Sequence, residues 1–133
     1  MTRELLTLEP DASLGQVHQL MGKKNIRHIP VVKNGILFGI VSHRDLLSAT
    51  PVSGENRSRV YSETRVTDIM RTGVETVSPE TTARFAAMKL DSLKIGCLPV
   101  LSEGALVGIN TSSDFITTAI TLLDQLENEE GVT

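Results

Sequence analysis

Residues 28–45 read HIPVVKNGILFGIVSHRD, and 69 positions later residues 97–114 read CLPVLSEGALVGINTSSD. Pro30-Val31 falls on Pro99-Val100, Gly35 on Gly104, Leu37 on Leu106, Gly39-Ile40 on Gly108-Ile109, and Asp45 on Asp114. The register holds outward from this stretch without a gap: Ile26 falls on Ile95, Pro10 on Pro79, Thr7 on Thr76 and Met1 on Met70. That makes eleven identities over the first 48 positions, where chance gives roughly three, and a fixed internal period defines the fold unit. Two copies of one supersecondary unit therefore fill nearly the whole chain, and a functional site is expected as a pseudo-symmetric pair.

Each unit reads as strand, helix, strand, strand, helix. In the first, Leu5 to Leu8 is a short apolar strand closed by Glu9-Pro10-Asp11. Ser13 caps a helix, with Gln16 placed for a capping box and Leu14, Val17, Leu20 and Met21 on one face. Gly22 is expected to end that helix. His28–Val32 and Leu37–Val41 form a hairpin around Asn34-Gly35, a strong turn signal, and Ser42 caps a helix starting at His43. The second unit copies this. It has a strand at Val74–Val77, a helix capped by Thr82 with Ala83, Ala86, Ala87 and Leu90 inward, a hairpin of Leu98–Leu101 and Leu106–Asn110, and a last helix from Thr111. These readings give an α+β fold of two β-α-β-β-α repeats. Repeat 1 spans residues 1–50, a solvated linker 51–65, repeat 2 66–120, and 121–133 is a helix end dissolving into the acidic run Glu127 to Glu130.

Length and composition bound the rest. The chain has 133 residues, and a repeat of about 60 residues buries too little surface to stand alone, so the repeats should pack on each other. The net charge of −3 provides no basic field for nucleic acid. With no Trp and 3% aromatic residues, no base-stacking platform is available. Cys97 is the only cysteine, which excludes an intrachain disulfide. His18, His28 and His43 have no metal-ligand spacing. No signal peptide is expected, since no apolar run follows Met1-Thr2-Arg3-Glu4, and the apolar runs are too short to span a bilayer. A cytoplasmic protein with no membrane partner and no nucleic acid is expected.

In register and duplicated, these marks resemble a tandem pair of cystathionine-β-synthase (CBS) domains, the arrangement also called a Bateman module. They are Val66-Thr67-Asp68-Ile69-Met70 before repeat 2, Pro10 and Pro79 before the first helices, Ile29-Pro30-Val31 and Leu98-Pro99-Val100, and the two segments Gly39 to Asp45 and Gly108 to Asp114. The resemblance covers residues 1 to about 120, with the lead-in of repeat 1 cut short at Met1. It implies a three-stranded sheet and two helices per repeat, joined through the sheets, with two clefts about a pseudo-twofold axis. The implied ligand is an adenosine nucleotide (AMP, ADP, ATP or a related adenosyl compound), bound as a regulatory ligand and not as a required cofactor.

The chemistry suits that implication. A carboxylate can accept from both hydroxyls of a ribose, and Asp45 and Asp114 stand three residues after Ser42 and Thr111, on one face of a first helical turn. The free N–H groups of a helix start suit a phosphate. The same residues also read as plain helix caps and first-turn acids. By the resemblance, Ile40 and Ile109 pack on adenine, and each cleft borrows from both repeats. The Asp45 cleft then gains Thr67, Thr72, Ile95 and Gly96, with Arg27 and His28 near the phosphates and His43 and Arg44 close by, and Ile26 is counted among the ligand-binding residues. The Asp114 cleft has Gly96, Cys97, Ser112 and Ser113 in the corresponding places and can borrow Arg27 and Arg3, so the Asp45 cleft is expected to bind more tightly.

Lys23 and Lys24 read as a solvated helix end, Cys97 as a buried or cleft-lining thiol, and Met21, Met70 and Met88 as packing residues. The apolar stripe Ile116, Ala119, Ile120, Leu123 and Leu126 outruns the repeat and is expected to make a twofold homodimer through the helices. Two functions remain open: an adenosine-nucleotide sensor passing its signal to an unidentified protein, or a dimerising interaction module with vestigial clefts. An enzyme is not expected, because no residue is placed as nucleophile, metal ligand or paired acid and base.

Overall fold

The computed structural model describes residues 5–52, 54 and 56–129. Helix α1 (Leu14–Lys24) opens on a reciprocal capping box: Gln16 N–H donates to Ser13 Oγ at 3.2 Å, and Ser13 N–H donates to Gln16 Oε1 at 2.8 Å. It buries Leu14, Val17 and Met21. Gly22 does not end it. The helix runs on to Asn25, whose backbone takes the left-handed conformation (φ 52°) and donates to the Met21 carbonyl. Asparagine tolerates that region, so it replaces the expected glycine.

Strands β1 (His28–Lys33) and β2 (Ile36–Ser42) pair antiparallel around Asn34-Gly35, both at positive φ as a primed hairpin turn requires. The register runs from His28↔Ser42 to Lys33↔Ile36 with an irregularity between Val31 and Val32. Helix α2 (His43–Ala49) follows at once. In repeat 2, α5 (Ala83–Leu93), β3 (Cys97–Ser102), β4 (Ala105–Thr111) and α6 (Ser112–Glu129) repeat this order. The duplication extends to fine detail: Lys94 takes the left-handed cap, Glu103-Gly104 the turn, and the register irregularity falls between Val100 and Leu101.

The expected strands at 5–8 and 74–77 contract to single parallel bridges, Leu8↔Val31 and Val77↔Val100. Leu8 N–H donates to the Pro30 carbonyl at 3.0 Å and Val32 N–H to the Leu8 carbonyl at 2.8 Å, and Val77 does the same with Pro99 and Leu101. Proline has no N–H but keeps its carbonyl, so the bridge forms beside it. The sheet order is β1-β2-β4-β3. Repeat joins repeat at Ile36↔Ala105, where Leu106 N–H also donates to the Gly35 carbonyl.

Each repeat has its own core, around Leu14, Val17, Ile29, Val31, Val41, Leu46 and Val66 in the first and Val77, Ala86, Leu90, Leu98 and Val100 in the second. A third cluster of Ile40, Cys97 and Ile109 sits between them. Four details differ from the sequence reading. Ala83 is exposed, because it sits in the first turn of α5 off its inward face. Met88 is exposed too. The segment read as a solvated linker contains α3 (Arg57–Glu63), whose Val60 and Tyr61 pack against the first core. Helix α6 continues through Glu129 without dissolving, while Glu130 lies outside the described residues. Its apolar stripe stands in solvent, with Ile116, Ile120, Leu123 and Leu126 all exposed.

Candidate functional site

The site is made where repeat 2's lead-in crosses repeat 1. After helix α4 (Val66–Ile69) the chain lies against β2, with Ile40 N–H donating to the Arg71 carbonyl at 3.0 Å and Arg71 N–H to the Ile40 carbonyl at 2.8 Å. Glycine is needed at the crossing: a β-carbon on residue 39 would lie 2.5 Å from the Arg71 carbonyl oxygen and 2.9 Å from Met70 Sδ. Residues 71–75 are thereby laid over the start of α2. The segment from Lys94 to Cys97 forms the other wall, its Gly96 packed against the His28 ring.

These walls enclose a cavity of about 680 Å³, within the range of small-molecule sites. Ten of the sequence-predicted residues line it: Arg27, His28, Ile40, Ser42, His43, Arg44, Asp45, Thr72, Ile95 and Gly96. Six do not. Thr67 is exposed on α4, and Ile26 packs on the first core. Ile109 belongs to the cluster between the repeats. Thr111 ends β4 and Asp114 stands in the first turn of α6, and neither lines this cavity. Arg3 lies outside the described residues. A shallower hollow of about 510 Å³ in repeat 2 is lined by Leu90, Lys94, Ser112, Phe115 and neighbours, and not by Thr111 or Asp114.

Leu47, Arg71, Gly73, Val74, Glu75, Lys94 and Cys97 also line the main cavity. Cys97 fits the expected cleft-lining thiol. Arg71 was legible in principle, since it stands between Met70 and Thr72, but its 69-residue equivalent is Thr2, so the repeat pattern does not single it out. Lys94 is placed by its role as the left-handed cap of α5, a backbone property that carries no functional signal.

Both Ser/Thr-x-x-Asp pairs are reciprocal caps. Asp45 N–H donates to Ser42 Oγ at 3.1 Å and Ser42 N–H to Asp45 Oδ2 at 2.9 Å. Thr111 and Asp114 make the same two bonds at 3.2 Å. The capping reading is therefore correct for both copies. It occupies one oxygen of the Asp45 carboxylate and leaves Oδ1 turned to Arg71, whose Nε lies 3.5 Å away. A carboxylate has lone pairs enough for a cap and a further donor.

The charges are uneven. Arg27, Arg44, Arg71 and Lys94 face the cavity against Asp45 and Glu75. Burial pushes the His28 imidazole below its ordinary value of 6.5; Asp45 opposes this, while Arg27 and Arg71 add to it. Burial pushes the Cys97 thiol up to about 12, with the Asp114 charge adding to the shift, so it is an inert neutral group lining an apolar part of the wall. Among the described residues, no group of three or more His, Cys, Asp or Glu could hold a metal ion, and no helix is long and apolar enough to cross a membrane.

Comparison with known proteins agrees with this architecture. The CBS domain pattern matches residues 1–51 and again 66–120. The CBS domain-containing protein YhcV of Bacillus subtilis is 27% identical over 131 residues, which cover 98% of this chain and 86% of that one. A Vibrio cholerae crystal structure, provisionally described as an acetoin utilization protein (AcuB), superposes with a TM-score of 0.81 at 43% identity, over 96% of this chain and 92% of that one. CBSX2, solved in complex with AMP, superposes at 0.74 with 27% identity, over 89% of this chain and 90% of that one. With two matched segments in register, hairpin for hairpin, the chain belongs to the CBS domain family, as a tandem pair of its units.

Proposed function

We propose that this CBS pair is a non-catalytic regulatory module that binds an adenosine nucleotide in the Asp45 cavity and acts as an energy or ligand sensor. The observation that carries the reading is the composition of one cavity at the joint. It combines the Asp45 carboxylate, an apolar wall of Ile40, Val74 and Ile95, and the cations Arg27, Arg44, Arg71 and Lys94. A nucleotide needs those parts together: an acceptor for ribose hydroxyls, an apolar slot for the base, and donors for phosphate. The AMP complex of CBSX2 supports the same class of ligand. Asp114 is the weaker candidate, since Cys97, Ser112 and Ser113 stand at the positions that His28, His43 and Arg44 hold in repeat 1.

A ligand there touches both repeats, so it binds one relative placement of the halves better than another, which is what a sensor requires. The signal would pass through the exposed helices, with a second copy of the chain as the first partner and a regulated protein beyond it, in the cytoplasm. The competing reading is a dimerising interaction module with vestigial clefts. The capping bonds favour it, because they explain Ser42 and Asp45 without any ligand.

Calorimetric titration with AMP, ADP, ATP and S-adenosylmethionine separates the two. Binding by any of them, lost in Asp45→Ala, supports the sensor. A nucleotide at 100 times its Kd should also stabilise the fold by about 2.7 kcal/mol. No heat and no thermal shift with all four would leave the interaction module.

A further inference from the structure

We propose that Arg71 is a specificity-determining residue that makes the Asp45 cavity prefer phosphorylated over neutral adenosine ligands, by exchanging its pairing with Asp45 for one with phosphate. This rests on the nucleotide reading above. Asp45 is already engaged on both sides: Oδ2 accepts from the Ser42 N–H at 2.9 Å, and Oδ1 faces Arg71 Nε at 3.5 Å. A sugar diol that donates both hydroxyls to Oδ1 fills its two lone pairs and displaces the guanidinium. The arginine side chain is 67% exposed while that of Asp45 is 13% exposed, so the carboxylate stays and the arginine moves.

The Arg71 backbone cannot follow. It is held to Ile40 by two hydrogen bonds over Gly39, where the approach leaves no room for a β-carbon. The released guanidinium is thus confined to an arc about a fixed Cα, within the cavity that Arg27 and Arg44 also line. A neutral nucleoside breaks the Asp45 pairing and offers Arg71 no anionic group in exchange. A phosphorylated one breaks it and offers two oxygens to the planar fork of the same group. The separation of 3.5 Å, at the outer edge of direct contact, makes the first pairing easy to give up. Sugar recognition and phosphate recognition are coupled through one side chain.

The test is titration of the wild-type chain, Arg71→Gln and Arg71→Lys with adenosine and with AMP. A single charge-assisted contact supports an expected loss of about tenfold in AMP affinity for Arg71→Gln, with adenosine unchanged or tighter because its competitor is gone. Arg71→Lys should recover part of the AMP affinity, since it keeps the charge and loses the fork. Equal weakening of both ligands in Arg71→Gln, leaving their affinity ratio at the wild-type value, overturns the assignment of Arg71 alone. Failure of the wild-type chain to bind either compound overturns the nucleotide reading and this one with it.

Discussion

The imidazole of His28 fills the place that a side chain on residue 96 would need: a β-carbon added to Gly96 would lie 2.8 Å from His28 Cε1 and 2.9 Å from Nε2. The two residues come from different repeats, and both line the cavity. Under the 69-residue shift His28 corresponds to Cys97 and Gly96 to Arg27. The contact therefore breaks the internal symmetry, with a ring against a bare backbone on one side of the axis.

Gly96→Ala should push the His28 ring out of place and reshape the cavity. Overpacking of this kind costs about 1–3 kcal/mol where neighbours cannot yield; here a half-buried ring can, so the lower end is expected. The loss should be recovered in the double variant Gly96→Ala/His28→Ala, which removes the obstructing ring. Chemical denaturation of the four members of the cycle measures the coupling; additive effects would show that the ring and Gly96 are energetically independent.

Much of this was readable beforehand because the determining features are local. Ser13-x-x-Gln16, Asn34-Gly35 and Ser42-x-x-Asp45 specify caps and a turn from residues a few positions apart, and the structure has each of them. Ten of the cavity-lining residues could be named because the resemblance to CBS pairs, carried onto the duplicated motifs, implies a cleft that borrows from both repeats. What stayed hidden is non-local. The closeness of Gly39 to Arg71 depends on how one repeat's lead-in crosses the other's strand, and nothing in either segment alone reports it. Helix α3 was concealed by its composition: one half-buried pair, Val60-Tyr61, in a polar stretch gives no periodic signal, yet α1 supplies the surface it needs. Gly22 misled because a glycine near a helix end is a usual stop, and Asn25 served instead.

Gly39→Ala should be more damaging than Gly96→Ala. Its β-carbon would meet the backbone carbonyl of Arg71 at 2.5 Å, and backbone yields less readily than a ring. The two hydrogen bonds between Ile40 and Arg71 would have to open. A loss of about 2–4 kcal/mol is expected, the sum of strain and broken bonds, seen as a drop in the denaturation midpoint together with loss of any ligand-induced shift. A midpoint within error of wild type would mean that the lead-in is not held where the structure places it.

Asp45 has two duties that a pair of substitutions separates. Asp45→Asn keeps an oxygen able to accept from the Ser42 N–H and removes the charge facing Arg71 and the ligand. It should hold stability within about 1 kcal/mol, the worth of an exposed ion pair, while weakening nucleotide binding at least about tenfold. Ser42→Ala should do the reverse, costing about 1 kcal/mol of stability as a lost cap with a smaller effect on affinity. Calorimetry beside urea denaturation gives both quantities. Matching losses of stability and affinity in Asp45→Asn would reduce the residue to a cap.

His28 makes the ligand-free fold sensitive to acid. Burial, the largest influence, holds its pKa below 6.5, with Arg27 and Arg71 pushing the same way and Asp45 opposing. The unfolded chain keeps the ordinary value, so between the two values it binds a proton that the folded chain does not, and stability rises with pH there. The folded state should therefore lose stability as the pH falls below about 6.5 through the folded value, and the loss should level off once both states are protonated. His28→Gln removes this component while keeping a polar side chain of similar reach. Urea midpoints measured between about pH 7.5 and about pH 5 should fall less steeply for the variant than for wild type; parallel curves would show that the imidazole is as readily protonated in the folded chain as in the unfolded one.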